Sequence, residues 1–163
     1  MGEDNQEHLA QGLERAKKIC LRLLAHRPRS EREFALKLAR RGFSQRLVEL
    51  TLEWLRSCGL ADDREFARWW VDARKAQGSI GRRGLEWELR AKGLDRELVE
   101  EALARGFDEQ EEIRIGLEAA DRRRERQGTG AAAEGRLLRW MRRRGFRPEV
   151  IEEVMRRPKR PDS

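Results

Sequence analysis

Apolar residues in this 163-residue chain recur at every third or fourth position. Nowhere do they alternate with polar residues over a stretch long enough for a half-buried strand. The pattern also repeats at long range. Gly42, Gly93 and Gly145 are separated by 51 and 52 residues, and the flanks agree around each. Eight positions before the glycine stand Phe34, Leu85 and Leu137; four before stand Leu38, Leu89 and Met141. Six after stand Val48, Val99 and Ile151; ten after stand Leu52, Leu103 and Met155. Apolar residues at this spacing predict an amphipathic helix on either side of each glycine.

The glycine itself marks a helix end. It follows a basic residue (Arg41, Lys92, Arg144), which suits the negative end of the helix dipole, and precedes Phe43, Leu94 or Phe146. A left-handed residue closing a helix, with an apolar side chain folded back on the last turn, accounts for both neighbours. Ser44 and Asp95 fit the N-cap of the following helix, and Pro148 fits the first turn of the third copy. Ser30 and Glu33 form a capping box before the first copy. A further helix precedes each pair, over about 13–26, 63–76 and 109–127, with Pro28, Gly78, Gly128 and Gly130 as breakers. The expected apolar stripes are Phe66, Trp70 and Ala73 in the second of these, and Ile113, Leu117 and Ala120 in the third.

The fold class expected is all-α: three tandem three-helix units, 13–59, 60–107 and 108–157, between a polar N-terminal tail (1–12) and a C-terminal tail (158–163). Units this small must share packing surface with their neighbours, which favours an elongated, curved array.

Composition agrees. Ala, Leu, Glu, Lys and Arg supply 96 of the 163 residues, and Val, Ile and Thr only 12. Charged residues make up 41% against roughly 25% in an average domain. The net charge is +7, and residues 131–163 carry +5 of it. Such a surplus favours an anionic partner. Cys20 and Cys58 read as free thiols. The start of the chain is acidic and polar, unlike a signal or transit peptide, and no apolar run approaches the ~18 residues of a membrane helix. A soluble, cytoplasmic, monomeric protein is expected.

Catalytic chemistry finds little footing. Gly128, Thr129, Gly130 and Ala133 faintly resemble a dinucleotide loop, but no strand precedes them. Asp62 and Asp63 stand where a helix begins, so capping explains them. His8 and His26 have no ligand partners at metal spacing. No catalytic, cofactor-binding or metal-binding residues are expected. Trp54, Trp87 and Trp140 read as core or inter-unit packing. Trp69 falls at the edge of its helix's apolar face, where it could pack on a neighbouring unit, anchor an interface or stack on a base. The arginine clusters at 40–41, 82–83, 122–124 and 142–144 read either as solvated, salt-bridged faces or as a track for phosphates and carboxylates.

The central segment, residues 59–94, resembles the signature of the RecX regulatory family. Leu60, Asp62, Asp63, Glu65, Phe66, Ala67, Trp70, Val71, Arg74, Gly78 or Gly81, Glu88, Leu89, Lys92 and Gly93 carry the likeness. Segments 30–43 and 142–154 extend it to about 13–157. Trp69 departs from the pattern, which tends to a small or polar residue there. The resemblance implies tandem three-helix units. It also implies a non-enzymatic regulator that lodges in the groove of the RecA recombinase filament on single-stranded DNA and restrains it. The residues expected to meet filament or DNA are Arg64, Arg68, Trp69, Arg74, Arg82, Arg83, Arg143 and Arg144. Two other classes compete: a direct DNA-binding protein using basic helical units, on single- or double-stranded DNA, and a coiled-coil scaffold, which the short, glycine-interrupted helices disfavour.

Overall fold

A computed structural model of the chain describes residues 2–128 and 130–157, with side chains from Gln6 onward. Thr129 and the tail assigned to 158–163 lie outside the described residues. Nine helices and no strand occur among the described residues: α1 (Gly2–Leu24), α2 (Glu31–Arg40), α3 (Gln45–Ser57), α4 (Asp63–Gln77), α5 (Arg82–Ala91), α6 (Arg96–Gly106), α7 (Glu109–Gln127), α8 (Ala131–Arg143) and α9 (Pro148–Arg156). The all-α class is as expected. No helix among the described residues is long and apolar enough to cross a membrane.

The chain divides into two compact units. One holds the residues up to Phe66 together with Lys92–Leu94; the other holds Ala67–Ala91 and the chain from Asp95 on.

The local grammar of the repeat holds in detail. Gly42, Gly93 and Gly145 all have left-handed backbone, with φ of +82°, +92° and +73°. After α2, Phe43 N–H donates to the Leu38 carbonyl and Gly42 N–H to that of Ala39. After α8, Phe146 and Gly145 repeat the pattern on Met141 and Arg142. These paired bonds satisfy carbonyls that a helix end otherwise leaves open. Ser44 and Asp95 accept from the N–H groups of Leu47 and Leu98, and Pro148 opens α9. The residues eight and four positions before each glycine are all buried: Phe34, Leu38, Leu85, Leu89, Leu137 and Met141 are at most 2% exposed. Each such burial stabilises the fold by roughly 1.5–3 kcal/mol.

Three helical faces differ from the periodicity reading. Helix α1 begins at Gly2, not near residue 13, so the stretch assigned to a polar tail is helical. Its Gln, Glu, Leu and Ala residues are good helix formers, and Gly12 is buried where a Cβ would stand 2.9 Å from Leu47 of α3. On α4 the buried face is Phe66, Ala67 and Val71. Trp70 is only half-buried, because its indole N–H reaches Glu88 at 3.0 Å. On α7 the buried side chains include Ile115, Ala119 and Ala120, centred on Gly116, while Ile113 and Leu117 are half-buried. Gly116 lets Val150 and Val154 of α9 approach to where its Cβ would be, about 3.2–3.3 Å.

The core of the first unit joins Ala16 and Cys20 of α1, Phe34 and Leu38 of α2, and Val48 and Leu55 of α3. Its polar anchor is Ser30. Fully buried, the Ser30 hydroxyl accepts from Glu33 N–H and donates to the Lys92 carbonyl at 2.8 Å, completing the expected capping box. Asp63 adds a second cap, accepting from Glu31 N–H at 2.8 Å. Burial opposes ionisation of Glu33, but hydrogen bonds from Arg27 and Lys92 overcome it and hold the carboxyl at about 2, below its ordinary 4.5. A carboxyl depressed on folding stabilises fully above its unfolded value and loses that contribution as pH falls toward the folded one. Urea denaturation should therefore show Glu33 contributing up to about 3 kcal/mol at pH 7 and progressively less below pH 4.5. Glu33→Gln should flatten that part of the acid limb; an unchanged acid limb would contradict the pairing.

Candidate interaction surface

The arginines sort into those engaged inside the fold and those left open. Arg74 grips Glu88 with two parallel bonds of 2.8 and 2.6 Å. Arg82 donates to the carbonyls of Leu103 (3.2 Å) and Phe107 (2.7 Å), satisfying the end of α6. Both were expected at the partner surface, and both guanidiniums are occupied within the fold. The cluster at 122–124 is likewise engaged. Arg122 donates to the Gly78 carbonyl at 2.6 Å, and Arg124, 6% exposed, pairs with Glu134 at 2.8–2.9 Å. Arg123 lies over the Trp140 ring, 4.6 Å from its centroid.

A different group stays open. Arg83, Arg142, Arg143 and Arg144 are exposed, and none carries an ion pair among the described residues. A backbone junction brings them together. Gly81 N–H donates to the Arg144 carbonyl and Arg83 N–H to the Gly145 carbonyl, each at 3.0 Å. Three glycines make this approach possible. A Cβ on Gly81 would sit 2.2 Å from Phe146 Cα; one on Gly84 would sit 2.4 Å from the Arg144 carbonyl oxygen; one on Gly145 would sit 2.1 Å from Gly84 N. The start of α5 and the end of α8 therefore meet main chain to main chain. Arg83 and Arg142 line the same cavity of about 450 Å³ over Leu138, Phe146, Ile151 and Met155, with Glu152 also on its wall. Burial first, then the charges of Arg126, Arg143 and Arg144, push the Arg123 guanidinium down.

Beneath the junction lies Glu112 of α7, which the sequence pattern did not single out. Its carboxylate is 0% exposed. One oxygen accepts from the backbone N–H of Arg82 and of Arg147, both at 3.0 Å; the other accepts from Arg147 Nε at 2.6 Å. A single carboxylate thus holds the first residue of α5 and the N-cap of α9, where helix dipoles favour a negative charge.

The remaining expected residues are scattered. Arg64 and Arg68 are exposed on α4. Trp69 is half-buried, edge-on to Trp70 with ring centroids 6.0 Å apart. Trp54 and Trp140 pack as expected, Trp54 beside the first unit's core with Lys17 over its ring. Trp87 does not: it is 73% exposed. No group of three or more His, Cys, Asp or Glu that could hold a metal ion occurs among the described residues.

Residues 16–55 match the model of the first three-helix domain of RecX, and residues 62–103 that of the second. A regulatory protein RecX of Mycobacterium ulcerans is 38% identical over 149 residues, spanning 87% of this chain and 83% of the relative. The chain belongs to the RecX family. A second RecX relative, from Mycobacterium leprae, is 36% identical over 145 residues, covering 87% of this chain and 84% of its own length. The fold of RecX is also recovered. The crystal structure of RecX from Lactobacillus salivarius superimposes with a TM-score of 0.75 at 18% identity, over 90% of this chain and 96% of that one. Another regulatory protein RecX gives 0.76 at 23% identity, over 90% and 73%. The family's name makes its role regulatory.

Proposed function

We propose that this RecX-family chain binds the RecA filament on single-stranded DNA, in its groove, and restrains recombinase, ATPase and coprotease activity. It does so by occupancy, without catalysing a reaction, as a cytoplasmic monomer. Family membership supports the reading. The observation that carries it is the cluster of exposed arginines Arg83, Arg142, Arg143 and Arg144, gathered at a main-chain junction and without an ion pair among the described residues. Guanidiniums free of internal partners can make bidentate contacts to carboxylates of a recombinase or to phosphates. Arg82 and Arg74 support this surface from inside the fold; Arg68 and Trp69 of the same unit are further candidate contacts, and Arg64 is one in the first unit.

The test is RecA ATP hydrolysis on single-stranded DNA with the chain titrated in, beside a basic protein of equal charge. Inhibition should appear well below one molecule per recombinase subunit and be absent in the control. The double variant Arg83→Glu/Arg143→Glu should raise the concentration for half-inhibition at least tenfold, because charge reversal in a desolvated contact costs several kcal/mol, while circular dichroism stays native. Inhibition only at ratios that coat the DNA would favour plain DNA binding instead.

A further inference from the structure

Helix α5 is amphipathic in an unusual way. Leu85 and Leu89 are fully buried on one side. Trp87, two residues from each and so about 200° around the helix, points away from them. It is 73% exposed; no other large hydrophobic among the described residues exceeds 45%. Its neighbours on the exposed face are Arg83, one turn before, and Arg90, about one turn after, both exposed and neither ion-paired among the described residues. Arg83 also belongs to the basic junction with α8.

We infer that Trp87, flanked by Arg83 and Arg90, is a stacking platform for a base of single-stranded DNA. An indole face open to solvent offers sequence-tolerant stacking, and guanidiniums on either side supply phosphate contacts. Arg83 and Arg90 stand about 10 Å apart along the helix axis, room for one stacked nucleotide with a phosphate on each side. A protein anchor is ringed by near-neutral contacts that exclude water from a well-packed pocket. Here the helical neighbours are Arg83, Gly84, Glu86, Glu88, Arg90 and Ala91, and Glu88 is taken up by Arg74 and Trp70, so the two open guanidiniums suit a polyanion with exposed aromatic rings. The inference rests on the filament reading for where such a strand is presented, but the contact is testable without recombinase.

Fluorescence anisotropy of a labelled oligothymidylate with the full chain, across a salt series, measures it. Trp87→Ala should weaken binding roughly tenfold with the salt slope unchanged, and Trp87→Phe should keep most of the affinity. Arg90→Gln should lower the salt slope by about one. Trp87 is 73% exposed, so its loss empties little buried space and circular dichroism should stay native. Affinity unchanged in Trp87→Ala, or no binding by the natural chain at low salt, overturns the inference. Loss of RecA inhibition in Trp87→Ala with oligothymidylate binding intact makes Trp87 a protein anchor, which also overturns it but leaves the filament reading standing. Trp87-dependent binding to the strand, with no RecA inhibition by the natural chain, keeps the contact and removes the filament reading.

Discussion

Gly145→Ala is expected to destabilise the protein by about 4 kcal/mol or more, whereas Gly42→Ala should cost only about 1–2 kcal/mol. The two glycines stand in the same four-residue sequence, Arg-Arg-Gly-Phe, and close their helices with the same hydrogen bonds and nearly the same φ. What differs is the neighbourhood. A Cβ on Gly42 meets nothing within 4 Å, so alanine there incurs only left-handed strain. A Cβ on Gly145 would stand 2.1 Å from Gly84 N and 2.6 Å from Gly84 Cα. Those are main-chain atoms at the start of a helix and cannot swing aside. The junction would have to open, losing two 3.0 Å hydrogen bonds worth about 1 kcal/mol each, besides the overpacking of about 1–3 kcal/mol. Urea denaturation of the two variants side by side measures the difference. Equal midpoints would mean that α5 and α8 do not meet in solution. If they do meet, the proposed function predicts that Gly145→Ala also lowers RecA inhibition, since it displaces Arg83 from the end of α8.

This pair of glycines also marks how far the sequence could be read. Helix ends were legible because their causes are local. Ser30 with Glu33, Ser44, Asp95, Pro148 and the three left-handed glycines each act within a few residues, and each stands where the pattern placed it. The buried positions of the repeat were legible for the same reason.

The fate of the arginines was not. Arg82 finds carbonyls at Leu103 and Phe107, Arg122 finds Gly78, and Arg147 finds Glu112. Such partners lie twenty to forty-odd residues away, and charge counting cannot distinguish a guanidinium that closes a helix end from one that faces a partner. Glu112 was hidden by the same limit: a buried carboxylate on a helix rich in glutamate looks like its solvated neighbours. Trp87 is a different matter. Leu85 and Leu89 already define the inward face of α5, and a residue midway between them must point outward. Gly81 and Gly84, on either side of the first two residues of α5, were a further readable sign, since glycine is used where another backbone must approach closely.

Glu112→Leu should cost about 3–5 kcal/mol, the range for removing one partner of a buried ion pair. The carboxylate is wholly buried and accepts three hydrogen bonds, so its loss strands two backbone N–H groups and one guanidinium nitrogen. Glu112→Gln should be only partly better. Its carbonyl can serve the N–H groups of Arg82 and Arg147, but its amide then faces Arg147 Nε, donor against donor. A double-mutant cycle separates the contributions. Adding Arg147→Leu to Glu112→Leu removes the stranded charge and should restore on the order of 1–2 kcal/mol, yet not all, because the two backbone N–H groups remain without an acceptor. Full restoration would assign the whole effect to the ion pair and deny the carboxylate its hold on α5 and α9. A cost below 1 kcal/mol for Glu112→Leu would show that it holds neither. The intermediate result has a functional corollary. With α5 and α9 released from a common anchor, Arg83 loses its fixed place beside the end of α8, so on the proposed function inhibition of RecA should weaken in Glu112→Leu although no charge on the open face has changed.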